Sequence, residues 1–247
     1  MRSRRRHDVR RRRLAVVAAI SVVALGTLLF TAFGGGDHPT GTITAPASAA
    51  RLLPAGPPAL KPVARLGTLM LQLPVNQSRI TAIGFYAASD GAVGLTPIGS
   101  QANQGLLKRV AHSLFGGGSG SPRWYLLPGG DGTANSALNV GAPPGTDVYS
   151  PVNGTIVGIE KVTIDGKVFG QRIDIQPTDA PSLIVSVSDL AADPSISVGA
   201  AVTVGSSKLG ELLALSRFET QSLARYTNDK GDHVLIEVHP AATLAVG

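Results

Sequence analysis

Short stretches in which apolar and polar residues alternate run through the second half of the chain and predict β-strands. In residues 232–240, with the sequence DHVLIEVHP, three aliphatic residues alternate with a histidine, a leucine and a glutamate. A strand with this pattern has one aliphatic face and one mixed face. Seven stretches that read as short strands lie within residues 122–247, separated by clusters of Gly, Pro, Asn and Asp. Many short strands with frequent turns predict a mainly β fold of the sandwich type, interrupted by one helix over residues 216–227.

The preceding residues predict a mixture of elements. Residues 78–88, SRITAIGFYAA, predict a strand, and residues 90–99 predict a turn followed by a second strand. Residues 101–115, QANQGLLKRVAHSLF, predict an amphipathic helix because Leu, Val and Phe recur on one side. The run GGGSGS at 116–121 predicts a flexible break after it. We therefore expect a small α/β extension over residues 67–121.

An uncharged stretch near the N-terminus predicts a membrane span. Residues 14–33, LAVVAAISVVALGTLLFTAF, contain no ionisable side chain, and at a rise of about 1.5 Å per residue they span about 30 Å, the hydrocarbon core of a bilayer. Residues 34–66 are rich in Gly, Pro and Ala and predict a semi-extended spacer. A cleavable signal peptide is the alternative, with ASA at 47–49 as its cleavage site. That site lies well after the apolar stretch, and the stretch is longer than the usual core of a signal peptide, so we favour an uncleaved helix.

The positive charge of the chain is concentrated at its N-terminus. The chain carries a net charge of +6, and the first 13 residues contribute +7 through eight arginines and one aspartate, which leaves −1 for the rest. Arginines before a membrane span hold the N-terminus in the cytoplasm. We expect a single-pass plasma-membrane protein with residues 1–13 in the cytoplasm and the C-terminal domain outside. The nearly neutral remainder does not predict a nucleic-acid partner, and the absence of cysteine excludes disulfides and thiolate metal sites.

Three segments resemble the LytM-type (M23) family of zinc peptidases, and they occur in that family's order. They are GAPPGTDVYSPVNGTIVGI at 141–159, SVGAAVTVGSSKLGEL at 197–212 and HVLIEV at 233–238. The resemblance covers about residues 123–241. It implies a LytM/M23-like β-sandwich of the duplicated hybrid motif type over residues 122–247.

The resemblance also implies which residues stand at the metal-binding positions. The family binds zinc through a His-x-x-x-Asp pair and the second histidine of His-x-His, while the first histidine of His-x-His assists the activated water. The corresponding residues here are Asn135, Asn139 and Leu235, with His233 at the assisting position. A side-chain amide is a poor zinc ligand and a leucine has no lone pair to offer. The resemblance therefore implies a degenerate domain without zinc, in which these four residues line a vestigial groove.

Three hypotheses about function follow. The first is a catalytically inactive LytM-like domain, held outside the cell by one span, that binds or regulates the peptidoglycan machinery through the old substrate groove. Its partner would be peptidoglycan or an envelope protein. The second is an active zinc endopeptidase with atypical ligands, which would require zinc as a cofactor. The third is a structural interaction module of the envelope that makes no use of the groove.

Overall fold

The computed structural model describes residues 56–88, 91–103, 122–164 and 167–241. These residues form fourteen β-strands and three 3₁₀ turns. Within the described ranges, no helix is long and apolar enough to cross a membrane. The cytoplasmic tail predicted for 1–13 and the membrane span predicted for 14–33 lie outside these ranges.

The strands fall into two groups along the chain. The first group is β1 (Pro62–Leu66), β2 (Leu69–Gln72), β3 (Ile83–Ala88), β4 (Thr96–Pro97) and β5 (Ser100–Gln101). The second group is β6 (Arg123–Leu126), β7 (Thr133–Gly141), β8 (Asp147–Tyr149), β9 (Gly154–Ile164), β10 (Lys167–Pro177), β11 (Leu183–Ala192), β12 (Ala201–Val202), β13 (Lys208–Leu212) and β14 (His233–Pro240). The 3₁₀ turns are Gln77–Arg79, Leu215–Arg217 and Ser222–Tyr226.

Two sheets enclose the core. The large sheet has the strand order β12–β9–β10–β11–β14–β7–β3–β6–β5, and β13 joins it by pairing with β11 and β8. The small sheet has the order β2–β1–β4. Neighbouring strands are antiparallel except where β6 runs parallel to β3 and β5.

The alternation of the central strands decides which face of the large sheet is buried. Val234, Ile236 and Val238 of β14 are fully buried, and they belong to one apolar cluster that contains residues of both sheets. Because successive side chains of a strand point to opposite faces, the residues between them lie on the other face of the sheet. We call this second face, which is turned away from the core, the outer face. The prediction of a mainly β fold is confirmed.

Two predicted boundaries change in the structure. The spacer predicted for 34–66 extends too far, because β1 lies within it and its Val63 and Ala64 are buried in the core. Likewise, β3 of the predicted extension 67–121 lies between β7 and β6 in the large sheet. The described parts of 67–121 and 122–241 therefore share one sheet and one core. The alternation within one strand does not indicate which distant strand will pair with it. The sequence therefore did not predict this shared sheet.

Three predicted elements also differ from those observed. The strand predicted for 78–88 begins only at Ile83, because Asn76 Oδ1 accepts a hydrogen bond from the Ser78 amide at 3.0 Å and starts a 3₁₀ turn there. The helix predicted for 101–115 does not begin at Gln101, which belongs to β5, and residues 104–115 lie outside the described ranges. The helix predicted for 216–227 is replaced by two separate 3₁₀ turns.

Replacing Val63 by alanine should destabilise the protein if β1 belongs to the core. Val63 is 1% exposed, so the lost methyl groups and the remaining cavity should lower the free energy of unfolding by about 2 kcal/mol. Leu60 is 64% exposed and supplies the matched control, since Leu60→Ala removes more carbon from the surface with little effect. Urea denaturation of both variants measures the difference. Equal stabilities would mean that β1 belongs to the spacer and not to the core.

Candidate functional site

The register of β14 brings two of the predicted site positions together. Leu235 lies directly opposite Asn139 of β7 on one side and Ser188 of β11 on the other. Asn139 in turn lies opposite Gly84 of β3. Directly opposed residues of antiparallel strands project to the same face. The amide of Asn139 and the side chain of Leu235 therefore stand side by side on the outer face.

His233 lies on the same face, two residues before Leu235. It is paired with Gly141 of β7, and Leu223 and Thr81 fill the space that a Cβ at Gly141 would take. Its Nδ1 is 2.9 Å from the carbonyl oxygen of Gly231, and its Nε2 is 4.0 Å from Oδ2 of Asp189. Burial of the ring lowers the pKa of His233, while the nearby Gly231 carbonyl and the carboxylates of Asp232 and Glu219 oppose that shift. The imidazole is therefore held mainly in its neutral form.

Asn135 occupies a different setting. It has a left-handed backbone with φ of 56°, and the register of β7 against β3 shifts between Tyr86 and Ala88 in this part of the strand. The Asn135 carbonyl accepts a hydrogen bond from the Leu95 amide at 3.0 Å. The structure thus groups Asn139, His233 and Leu235, and places Asn135 on a strand irregularity near the start of β7.

Asp189 is a member of the site that the sequence patterns did not identify. It also has a left-handed backbone, with φ of 69°, at a position where the register of β11 against β10 is irregular. Burial raises the pKa of the Asp189 carboxyl to about 7, and the neighbouring carboxylates of Glu237 and Glu219 add to the effect. The sequence does contain one indication of Asp189. In SLIVSVSDL it occupies a position that the alternation would turn toward the core, where a charged residue is unusual.

A row of buried polar groups extends the site across the outer face. Ser186 Oγ donates to Asp174 Oδ1 at 2.7 Å, and Asp174 forms an ion pair with Arg172. Ser186 is paired with Glu237 of β14, whose Oε2 lies 3.7 Å from Nε2 of His239. Buried polar groups are retained at low cost when they partner one another. The outer face is thus polar on the β10 and β11 side of Leu235.

The connection between β13 and β14 covers the outer face. We call residues 213–231 the strap. Phe218 of the strap contacts Phe169 of β10 edge to face, with ring centroids 4.4 Å apart, and Tyr226 stacks on Tyr125 of β6 at 4.6 Å. Between these contacts the strap carries Leu223 so close to Gly141 that a Cβ there would lie 2.7 Å from its Cδ2. The strap therefore crosses the sheet from β10 to β6.

This cover removes the central site residues from solvent. Asn139 is 2% exposed and His233 is 6% exposed. Leu127 packs onto Gly84, where a Cβ would approach within 2.7 Å of its Cδ1. Asn139 Oδ1 has no hydrogen-bond partner among the described residues. The predicted groove is closed over Asn139 and His233 by side chains of the protein itself.

The residues present do not fit a catalytic zinc ion. Such an ion requires about three nitrogen or oxygen ligands and one open position for water. Asn139 and Leu235 offer an amide and an aliphatic group, and Asn135 offers a second amide. Throughout the described ranges, no group of three or more His, Asp and Glu side chains is placed to hold a metal ion.

Comparisons with known proteins give structural likenesses only. No protein-family model and no curated protein matches the chain. Among solved structures, lysostaphin is 15% identical with a TM-score of 0.32, and the match covers 44% of this chain and 37% of lysostaphin. Csd3 of Helicobacter pylori is 14% identical with a TM-score of 0.35, over 72% of this chain and 32% of Csd3. Pseudoalterin, an M23 metalloprotease from the deep sea, is 14% identical with a TM-score of 0.35, over 70% of this chain and 72% of pseudoalterin.

The chain thus spans about a third of the lysostaphin and Csd3 chains that it resembles. Likeness of this degree assigns neither a family nor an activity to the chain. What the site can do chemically has to come from its own residues, and these place a neutral imidazole, a protonatable carboxyl and an unpartnered amide oxygen beneath the strap.

The pH dependence of stability should reveal the buried carboxyl of Asp189. Because its pKa rises from 3.8 to about 7 on folding, the folded protein holds a proton there that the unfolded chain releases. This contribution is present below about pH 4 and is lost as the pH rises to about 7. Asp189→Asn, which tolerates the left-handed backbone, should therefore be more stable than the parent protein at pH 8 by a few kcal/mol, and this advantage should shrink toward pH 4.

Thermal denaturation across this pH range provides the measurement. Asp179→Asn, a change at an exposed carboxyl, is the matched control and should follow the parent curve. The lowered pKa of His233 acts in the opposite sense, since stability gained from its neutral form grows as the pH rises toward 6.5. At pH 8 His233 is neutral in the folded and unfolded states of both proteins, so its titration does not enter the difference measured at that pH. An Asp189→Asn curve parallel to the parent at all pH values would contradict the assigned burial.

Proposed function

We propose that this protein is a non-catalytic LytM-like module of the bacterial cell envelope that binds cell-wall components or their machinery without cutting them. The proposal includes a single membrane helix over 14–33, with residues 1–13 in the cytoplasm and the domain outside. The observation that carries it is the register that sets Asn139 opposite Leu235. Two positions that the resemblance assigns to metal ligands are adjacent in space, where one offers a poor zinc ligand and the other none.

The chemistry of the pair argues against hydrolysis. An amide oxygen and a leucine replace the carboxylate and imidazole that would bind zinc, and no zinc-activated water can then form. His233 keeps the position of the assisting group, but its Nδ1 is bonded to Gly231 and its Nε2 faces Asp189. A general base needs a nucleophile such as a water or a hydroxyl within hydrogen-bond reach, and neither of these two contacts is one.

The burial of the site argues that binding takes place elsewhere on the domain. Asn139 and His233 lie beneath the strap, where a cell-wall polymer cannot reach them while the strap is in place. This favours contact with peptidoglycan or with an envelope protein through an exposed surface. Binding through an exposed surface is also what the third hypothesis expects, since that hypothesis is an interaction module that makes no use of the groove.

The absence of hydrolytic chemistry is tested by zinc content and peptidoglycan cleavage. The full-length chain, purified in detergent, should contain no stoichiometric zinc after incubation with zinc and dialysis, and should release no soluble fragments from purified peptidoglycan. Elemental analysis and a dye-release assay measure the two quantities. Equimolar zinc that is lost in His233→Ala, together with cleavage, would establish the active peptidase.

Restoring the expected ligands should create a metal site if the scaffold is LytM-like. Asn135→His, Asn139→Asp and Leu235→His together supply three ligands, and histidine is among the residues that tolerate the left-handed backbone at position 135. The triple variant should bind one zinc ion. The matched control retains Leu235 and should bind far more weakly because one ligand is missing. No zinc in either variant would mean that the scaffold, or the alignment of these three positions with the family's ligands, is wrong.

Co-sedimentation separates the two classes of partner. The full-length protein in detergent should pellet with purified peptidoglycan if the polymer is the partner. Recovery in the supernatant at every protein concentration would exclude the polymer and leave an envelope protein as the partner.

A further inference from the structure

Three adjoining cavities form a groove beside the strap. The largest, of about 410 Å³, lies between residues 78–81 and the loop residues Pro143, Asn228 and Asp229. A second, of about 330 Å³, shares Pro143 and Asp229 with it and continues along Ala214 and Ser216. A third, of about 320 Å³, shares Ile80 and Thr81 with the first and continues toward Tyr125. We call the three together the basic groove.

Charge is strongly segregated toward this groove. Its lining contains Lys61, Arg79, Arg123, Arg217 and Lys230, but only Asp229 and Asp232 among the acidic residues. Beyond residue 13 the chain has 14 basic and 15 acidic side chains, so the groove holds five of the former and two of the latter. With Arg79 left aside, four basic side chains against two acidic ones still give a local charge of +2. On a nearly neutral domain this favours an anionic ligand.

The two acidic groups of the groove are engaged in building its wall. Asp229 Oδ1 accepts from Thr227 Oγ1 at 2.6 Å and from the Gly231 amide at 2.9 Å. Asp232 accepts from the amide of Ser216 at 2.7 Å and from its hydroxyl at 3.0 Å. These bonds hold the end of the strap in place, so the carboxylates serve the fold, while Lys61, Arg123, Arg217 and Lys230 remain to meet a ligand.

The opposite wall is also fixed before any ligand binds. Gln77 bonds both the amide and the carbonyl of Ala59 through its side chain, at 3.1 and 2.7 Å, and thereby holds the segment that carries Lys61. The Thr81 amide donates to the Gly141 carbonyl at 2.9 Å, which ties this wall to β7. Preformed walls reduce the entropy lost on binding.

Apolar surface between the charged side chains of the groove limits which class of anionic ligand would fit it. Pro143, Pro144 and Ala214 line the second cavity, while Ile80 and Tyr125 line the third. A phosphate polymer would use the charges and leave these hollows empty. An extended peptide with acidic and aliphatic side chains would use both, because separate cavities along a groove accept successive side chains of an extended chain.

We infer that the basic groove is a docking site for an extended acidic peptide segment with aliphatic side chains, contributed by another protein. The groove is separate from the closed site, since Asn135, Asn139, His233 and Leu235 do not line it. The inference therefore goes beyond the proposed function and does not depend on zinc chemistry or on peptidoglycan.

Selection from a random decapeptide library displayed on phage tests this inference on the full-length chain in detergent. Selected peptides should be enriched in Asp and Glu together with Leu, Ile or Val. The groove variant Arg123→Glu with Lys230→Glu should lose the enrichment. The control variant Arg65→Glu with Lys161→Glu makes the same change in net charge at exposed positions outside the groove and should retain it. No enrichment, or the same peptides on the groove variant, would overturn the inference.

Fluorescence anisotropy with the most enriched peptide then measures affinity. The groove variant should weaken binding by about tenfold or more, and the control variant by less than about twofold. Inorganic polyphosphate serves as a competitor that carries charge without apolar groups, and it should displace the peptide only at a much higher concentration of charge. Displacement at equal charge concentration would assign the groove to anionic polymers and reject a peptide ligand.

Discussion

Burial of the aliphatic side of β14 is the constraint on which the rest of the structure depends. Val234, Ile236 and Val238 each contribute roughly 1.5–3 kcal/mol by leaving water, and a slip of one residue would turn all three toward the outer face. The register is therefore fixed, and Leu235 has to stand opposite Asn139. An amide and an aliphatic side chain are therefore neighbours on the outer face, at positions that the pairing of β14 with β7 holds together.

The outer face accepts polar groups at a cost that this core can offset. An unpartnered buried amide oxygen such as that of Asn139 costs about 1–3 kcal/mol, and Asp189 adds a carboxyl whose ionised form is disfavoured by burial. Elsewhere on the same face, Asp174 and Ser186 satisfy one another. The cost therefore falls on residues around the closed site.

The sequence predicted those features that arise from local alternation, and it missed those that arise from distant contacts. The strand over 233–240 follows from its aliphatic period. The proximity of Asn139 to Leu235 was implied only by the family resemblance. The place of β1 in the core depends on strands far along the chain. Asp189 was missed because its left-handed backbone at a register irregularity turns a side chain to the face that strict alternation would forbid. The strap was predicted as a single helix, since two aromatic contacts with β10 and β6 cannot be read from its own residues.

The two aromatic contacts of the strap have a consequence for how the protein opens. Phe218 is tied to β10 and Tyr226 to β6, strands that come from distant parts of the chain and lie toward opposite edges of the large sheet. Local fluctuation of the strap has to separate both contacts before it exposes the polar layer beneath, so partial opening and loss of the sheet edges are thermodynamically coupled. A connection of this length would ordinarily be among the first segments to exchange its amide protons with solvent. Here it should exchange together with the strands it joins.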